Sequence, residues 1–276
     1  MQVWLATAGY SYPEWVGAIY PPGTRGDQLL TAYAREFPLV EINSTYYRCP
    51  TAEQFARLLQ AVPPGFQFSV KLPQTITHQR DPAELAPFAE AVSRLRANGQ
   101  LFATVCQFPE SFHNGPAQQR WLGQVVERLA EFSPVVEFRH RSWAKPAVNH
   151  WLTRSGAGVV SVDVPDLPQL YPRGLVVAGP LVYARLHSRV VENWYGPGML
   201  RYDYDYPDAV LREWIDWLRE AARVAKRAAI VFNNCVGTQA VTNARRLRQL
   251  LAEQATDLPV VTPLTDPRPR QRFLFD

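Results

Sequence analysis

The sequence predicts an α/β protein built as a single (β/α)8 TIM barrel, with its site on the C-terminal face. Three observations predict it. Eight short β-rich runs alternate with stretches of helical character along 276 residues, an ordinary length for this architecture. No linker or composition break divides the chain, so 1–276 reads as one domain with 255–276 as a C-terminal extension. Charged and amide residues also recur near the C-terminal ends of the runs, although strands of a closed parallel barrel are buried on both faces and should read apolar.

VWLATAG (3–9) opens the barrel and precedes a helical stretch at 27–36. LVEINST (39–45) leads to 51–61, where Thr51 and Gln54 have the spacing of a reciprocal cap. QFSVKL (67–72) leads to 81–97, introduced by Asp81-Pro82, and FATVCQF (102–108) to 116–131. PVVEFR (134–139) is followed by 144–154, and GVVSVD (158–163) by 164–180, whose Pro and Gly predict loop in place of a helix. LVYARLH (181–187) runs into the longest βα-loop, Ser188 to Pro207, which carries ENWYGPG and RYDYDYPD and is expected to be an ordered functional loop. In the helix expected over 207–226, Trp214, Trp217, Leu218 and Ala221 fall at helical spacing. AIVFNN (229–234) and 238–253 complete the series, and the tail 256–276, with its Pro-Arg-Pro-Arg run and Phe273-Leu274-Phe275, is expected to pack across the outside.

Hydrophobic residues make up 47% of the chain and charged residues 20%, which suits a sizeable core, and no segment reaches the roughly 18 unbroken apolar residues of a membrane span. The start, Met1-Gln2-Val3-Trp4-Leu5, has neither a basic region nor an apolar stretch of secretory type, so a cytoplasmic location is expected. Cys49, Cys106 and Cys235 are far apart and form no CxxC pair, which predicts reduced thiols. The net charge of +4 favours anionic partners in general and singles out none.

Period two sorts the strand residues. Val40 and Ile42 are expected to face the helices, with Glu41, Asn43 and Thr45 facing the interior. Likewise Tyr183, Arg185 and His187 point inward in 181–187, and Glu137 and Arg139 in 134–139, while Lys71, Gln107, Asp163 and Asn233 stand near the ends of their own strands. One shared cavity at the C-terminal end is the expectation. The competing reading is a polar plug without chemistry, satisfied by pairs such as Glu41–Lys71 or Glu137–Arg139.

At these residues the chain resembles the YecE-like family, a group of TIM-barrel proteins classed as a domain of unknown function. The likeness runs from near residue 7 to about 250, through TAGYSYPEW (7–15), VEINSTYYR (40–48), FSVKLPQTITH (68–78), QFPESF (107–112), EFRHRSW (137–143), YARLH (183–187), NWYG (193–196) and FNNCVGTQAVTNA (232–244). Tyr10 stands where the family pattern has Trp, Ser188 where it has Gly, and Cys235 where it has His or another polar residue. The resemblance implies the barrel and the location of a site, and no agreed reaction.

Lys71, Arg139 and Arg185, with His78 and His187 nearby, form a cationic set suited to an anionic ligand, the arginines as a fork and the lysine as a point charge. Glu41 and Glu137 are candidate general bases, and His187 and Lys71 candidate general acids. Glu41, Glu137, Asp163 and His187 could instead hold a divalent metal, but three cations in the same mouth oppose it and no HxH or HExxH spacing supports it, so no metal or other cofactor is predicted. Tyr10, Tyr12, Trp15, Tyr46, Trp143, Trp194 and Tyr195 are expected to ring the mouth, with Trp15 and Trp143 equally suited to capping the barrel. Tyr10, Asn43, Tyr46, His78, Gln107, Arg139, Asp163, Tyr183, Arg185, Trp194, Tyr195 and Asn233 are the candidate ligand contacts. His113 and His150 read as surface residues, as does the Arg245, Arg246 and Arg248 cluster. GPGML and GTQA lack the spacing of a nucleotide-binding loop, and no GxSxG is present.

The function expected is hydrolysis or acid/base chemistry on an anionic, phosphate-containing or sugar-like small molecule. A metal-dependent phosphodiesterase acting on nucleic acid is the first alternative, and a ligand-binding module without turnover the second. No membrane partner is expected, and the sequence sets no oligomeric state.

Overall fold

The run of eight parallel strands begins at β1 (Gln2–Thr7), whose residues pair in register with β8 (Arg227–Phe232) from Gln2 opposite Arg227 to Thr7 opposite Phe232. The computed structural model of the protein describes residues 1–264. Between β1 and β8 lie β2 (Leu39–Ile42), β3 (Gln67–Lys71), β4 (Leu101–Gln107), β5 (Pro134–Glu137), β6 (Gly158–Asp163) and β7 (Leu181–Leu186). The spatial order is β1-β8-β7-β6-β5-β4-β3-β2. The seam between β1 and β2 is closed by a parallel bridge from Ala8 to Glu41, with Gly9 N donating to Glu41 O at 2.8 Å. This is a (β/α)8 barrel.

The helices are α1 (Gln28–Tyr33), α2 (Ala52–Gln60), α3 (Leu85–Ala97), α4 (Pro116–Leu129), α5 (Pro146–Arg154), α6 (Asp208–Ala221) and α7 (Gln239–Gln254). Thr51 and Gln54 form the capping box their spacing predicts, which satisfies two backbone N–H groups at the start of α2. Trp214, Leu218 and Ala221 are buried on one face of α6. As expected, 164–180 forms no helix; it is tied down by bridges from Leu170 to His140 and from Gly174 to Val162. Past α7 the chain returns beside β1, where Val3 N donates to Pro259 O and Val261 N to Val3 O. The tail's Pro-Arg run and Phe273-Leu274-Phe275 lie outside the described residues.

Strand pairing fixes which side chains fill the barrel. Glu41 pairs with Ser69, Lys71 with Val105, Gln107 with Glu137, and Arg185 with Val162 and Val231. Paired residues of a parallel sheet share a face, so Glu41, Lys71, Gln107, Glu137 and Arg185 all point inward. Beneath them Tyr183, Phe102 and Trp4 stack towards the opposite end, with ring centroids 6.4 and 5.4 Å apart. Tyr183 and Phe102 are buried and Trp4 partly so, and these rings underlie the polar layer.

Two expectations about the strands are corrected. β2 ends at Ile42, and Ser44–Tyr46 is a 3-10 turn, so the parity that places Glu41 inward does not extend to Asn43 and Thr45. Thr45 Oγ1 instead donates to Lys71 O at 2.6 Å and stitches the turn to the end of β3. Asp163 faces away from the barrel interior: its neighbour Val162 shares a face with Arg185, so Asp163 points to the helix layer. There Arg189 grips it at 2.8 and 2.9 Å, and Trp214 Nε1 of α6 donates to it at 2.7 Å.

The three cysteines are unpaired, Cys106 and Cys235 buried and Cys49 partly so. His113 and His150 are exposed, and His113 stacks on His140 with ring centroids 3.9 Å apart. Arg245 and Arg248 of α7 bind Glu36, and Arg246 binds Asp208, so this basic face is held in ion pairs. Among the described residues no helix is long and apolar enough to cross a membrane.

Candidate functional site

Four inner-face residues from three strands make one buried chain of contacts. Tyr183 Oη donates to Glu41 Oε2 at 2.9 Å, and Arg185 Nη2 donates to Glu41 Oε1 at 2.7 Å. Arg185 Nη1 donates to Glu137 Oε2 at 2.5 Å, and Arg139 Nη2 lies 2.7 Å from Glu137 Oε1. Glu41, Glu137, Tyr183 and Arg185 are buried. Removing two carboxylates from water costs several kcal/mol each, by rough reckoning, and paired guanidinium forks are what make it tolerable. Arg139 and Arg185 accordingly hold the Glu137 carboxyl well below its ordinary range, against the opposing effect of burial.

His187 follows β7. Its Nε2 is 3.3 Å from Glu137 Oε1, and its Nδ1 is 2.8 Å from Asn233 Nδ2. With the Asn233 amide donating to Nδ1, the neutral ring carries its proton on Nε2, facing Glu137. Burial and then the Arg139 charge push its pKa down to about 3, so the imidazole stays neutral near pH 7. A His187 imidazolium acting as general acid does not fit this environment.

Lys71 is the exception among the charges. The pairing Glu41–Lys71 does not form, because Glu41 is taken by Tyr183 and Arg185. Among the described residues Lys71 makes no ion pair; its Nζ sits over the Tyr46 ring, 4.2 Å from the centroid. Burial and the Arg185 charge lower its pKa to about 7, a pull that Glu137 and Glu41 only partly offset. Tyr46 Oη in turn lies 3.2 Å from His78 Nε2, and burial with the Lys71 charge pushes His78 down to about 4.

Several buried polar atoms in and around this layer make no hydrogen bond among the described residues, Arg185 Nε and His187 Nε2 among them. Arg139 Nη1 and Asn43 Oδ1 are buried without a hydrogen bond among the described residues. Gln107, beside Glu137 in register, donates to Phe108 O at 2.9 Å. Both terminal nitrogens of Arg185 are taken by carboxylates, so the expected fork of two arginines reduces to Arg139, with Lys71 as the further cation.

The 188–207 loop folds over this layer. Trp194 is 2% exposed, its ring 5.6 Å from the Arg139 guanidinium and 6.3 Å from the His187 ring. Tyr195 turns the other way: its Oη donates to Glu110, 3.0 Å from each carboxylate oxygen, and accepts from Gln169 Nε2 at 2.7 Å. Tyr195 is therefore an outer latch and does not line the mouth. Tyr10 is also displaced, packing towards Tyr33 of α1. Trp15 and Trp143 are structural caps, donating to Gly237 O and Phe112 O within aromatic packing.

Sequence reasoning missed Arg189, which neutralises Asp163, and Arg201, whose guanidinium lies 5.5 Å from the Trp194 ring. It also missed the latch partners Glu110 and Gln169. Arg201 opens the RYDYDYPD run, so its loop position was visible; the latch joins three loops and leaves no local pattern. Among the described residues no three His, Cys, Asp or Glu side chains group as a metal site. With Asp163 on the outer face, the set Glu41, Glu137, Asp163 and His187 does not converge. A groove of about 770 Å³ between α3 and α4, lined by Glu90, Ser93, Glu127 and Phe132 among others, lies on the outer helix layer away from these charges.

The chain resembles several known proteins, some of them over nearly its whole length. The family model described as "Protein of unknown function DUF72" matches residues 4–271. The UPF0759 protein YunF of Bacillus subtilis is 28% identical over 278 residues, covering 94% of this chain and 95% of that protein. The UPF0759 protein YecE of Escherichia coli K12 is 30% identical over 172 residues, 58% of this chain and 59% of its own length. A crystal structure of a DUF72 family protein from Thermotoga maritima superposes with a TM-score of 0.83 at 32% identity, covering 91% of this chain and all, 100%, of the other. One from Enterococcus faecalis gives 0.82 at 23% identity, covering 98% and 99%, and supports the fold. By the extent of the family match, the motifs that carry it and the barrel they build, the chain belongs to the DUF72 family of proteins of unknown function.

Proposed function

We propose that the protein takes a small anionic ligand, phosphate-containing or sugar-like, beneath the 188–207 loop and performs acid/base chemistry on it. Arg139 anchors the anion and Lys71 carries the proton. The observation behind this reading is the Lys71 amine, which makes no ion pair among the described residues and lies over the Tyr46 ring. Glu41, Glu137, Tyr183 and Arg185 act as a rigid charged platform, since the carboxylates are locked in ion pairs. A proton carrier works best with a pKa near the working pH, and in this mouth that group is Lys71.

Charge balance gives the reading its test. Glu41 and Glu137 offset Arg139 and Arg185, so the mouth carries one positive charge when Lys71 is protonated and none when it is not. Anion affinity should therefore rise as pH falls through about 7. Sulfate is the probe, because its own charge is constant there. Calorimetry on the wild type, Lys71→Met and Arg139→Ala should show stronger binding on the acid side of pH 7 in the wild type, a flat profile in Lys71→Met and lost binding in Arg139→Ala. Wild-type heats that are negligible, or the same on both sides, would sink the anion site. A short single-stranded oligonucleotide in the same titration separates a nucleic-acid phosphate from a small-molecule one.

A further inference from the structure

We infer that Lys71 is a covalent nucleophile whose amine condenses with the carbonyl group of a small anionic carbonyl compound, forming a Schiff base while Arg139 holds the acid group. This rests on the reading of the mouth as an anion site and names the class of ligand it takes.

The first support is compositional. Of 29 Lys and Arg residues only Lys71, Lys145 and Lys226 are lysine, so arginine fills nearly every cationic position of this chain. Arginine does not deprotonate in proteins and cannot attack a carbonyl, whereas a desolvated lysine beside other cations can. Lys145 and Lys226 are exposed on the surface. The remaining lysine stands on the inner face at the C-terminal end of β3, in register with Val105.

The second support is geometric. The Lys71 amine lies on the Tyr46 face with no carboxylate ion pair to hold it as ammonium, while both nearby carboxylates are turned to arginines. The Tyr46 face orders the side chain through a cation–π contact, which favours the ammonium less than a paired carboxylate would. Arg139 Nη1, buried and unpartnered, is an available donor for a carboxylate or phosphate oxygen. Trp194 packs over Arg139 and keeps bulk water from the layer beneath, which protects an imine from hydrolysis.

The step balances as follows. The Nζ lone pair attacks the carbonyl carbon, the C–N bond forms, and the π electrons move to oxygen. That oxygen takes the two amine hydrogens and leaves as water, giving C=N; protonation of the imine nitrogen gives the iminium. Hydride from cyanoborohydride adds to the iminium carbon and fixes the adduct as a secondary amine.

The experiment uses wild-type protein with sodium cyanoborohydride near neutral pH and three probes: glyoxylate, glyceraldehyde 3-phosphate and neutral glyceraldehyde. Peptide mapping reads the adduct at each of the three lysines, so the two surface lysines are internal controls. Lys71 is expected to label at least about tenfold faster than either, because an amine near pKa 7 is free far more often than an ordinary lysine. Both anionic probes should outpace neutral glyceraldehyde, and excess sulfate should slow them. The faster anion tells a carboxylate from a phosphate ligand. Lys71 left unlabelled, or labelled no faster than Lys145 and Lys226, overturns the proposal, as does equal labelling by the neutral probe. If labelling fails while sulfate binding still strengthens on acidification, the covalent step alone falls; if that binding is absent too, the anion reading falls with it.

Discussion

Arg185 Nη1 and Glu137 Oε2 meet at 2.5 Å in the barrel interior, with 1% and 0% of the two side chains exposed. The pair joins β7 to β5, and through its other nitrogen Arg185 reaches Glu41 on β2. Losing the guanidinium would leave buried Glu41 with only the Tyr183 hydroxyl and Glu137 with Arg139 as its remaining cation. Arg185→Met is expected to destabilise the fold by about 3–5 kcal/mol at neutral pH. The part of the loss carried by Glu137, whose carboxyl the arginines hold well below its ordinary range, should shrink as pH falls and that group protonates. Urea denaturation at neutral and acid pH checks both parts, and a near-neutral Arg185→Met at pH 7 would show that the platform is dispensable.

Acid should weaken the protein through two histidines that the fold keeps neutral. His187 and His78 have folded pKa values of about 3 and about 4, against 6.5 for an ordinary histidine. Between those values the unfolded chain binds more protons, so stability is present above about 6.5 and is lost as pH falls towards 3. His187→Gln keeps an amide able to meet Asn233 and should flatten this part of the profile. Chemical denaturation midpoints of wild type and variant across that window decide it; parallel slopes would count against a buried neutral His187.

Lys71 acts with the opposite window. Its folded pKa of about 7 lies below the unfolded value, so the unfolded chain binds the extra proton between neutral and strongly alkaline pH. Stability contributed through this group therefore rises as pH climbs above 7. Lys71→Met removes the titration and should be the more stable protein at pH 7, with the advantage fading at higher pH. A constant difference across pH would mean that Lys71 has an ordinary pKa.

The Tyr195 latch should govern the loop and not the fold. Tyr195→Phe deletes the contacts with Glu110 and Gln169 at an exposed position. At about 0.5–1.5 kcal/mol for each of the two contacts, amide exchange across 188–207 should quicken by roughly five- to 150-fold, with little change in melting temperature. Unchanged exchange would leave the loop held by Trp194 alone.

Asp163 separates stability from binding. It is gripped by Arg189 and Trp214 on the outer face of β6, so Asp163→Asn should cost about 1.5–3 kcal/mol of stability for a charged hydrogen bond lost. Sulfate affinity should stay at the wild-type value. A large drop in affinity, with the fold intact by circular dichroism, would return Asp163 to the mouth.

The barrel was legible because its determinants are local and repeated. Strand runs alternate with helical stretches, Thr51 and Gln54 write their own cap, and the Pro- and Gly-rich 164–180 announces a missing helix. Polar residues at strand ends also marked where the buried charges gather, since Glu41, Glu137, Tyr183 and Arg185 sit where burial on both sides should forbid them. What local pattern could not decide was direction and partnership. Asp163 reads like Glu41 in isolation, yet the pairing of Val162 with Arg185 turns it to the helices. Tyr10 and Tyr195 lie beyond strand ends, where period two no longer holds. The three-strand bridge from Glu41 through Arg185 to Glu137 spans more than 140 residues of chain between Glu41 and Arg185, with a separation of 144. Only barrel closure brings those charges together, and by claiming both carboxylates for arginine it leaves Lys71 without one.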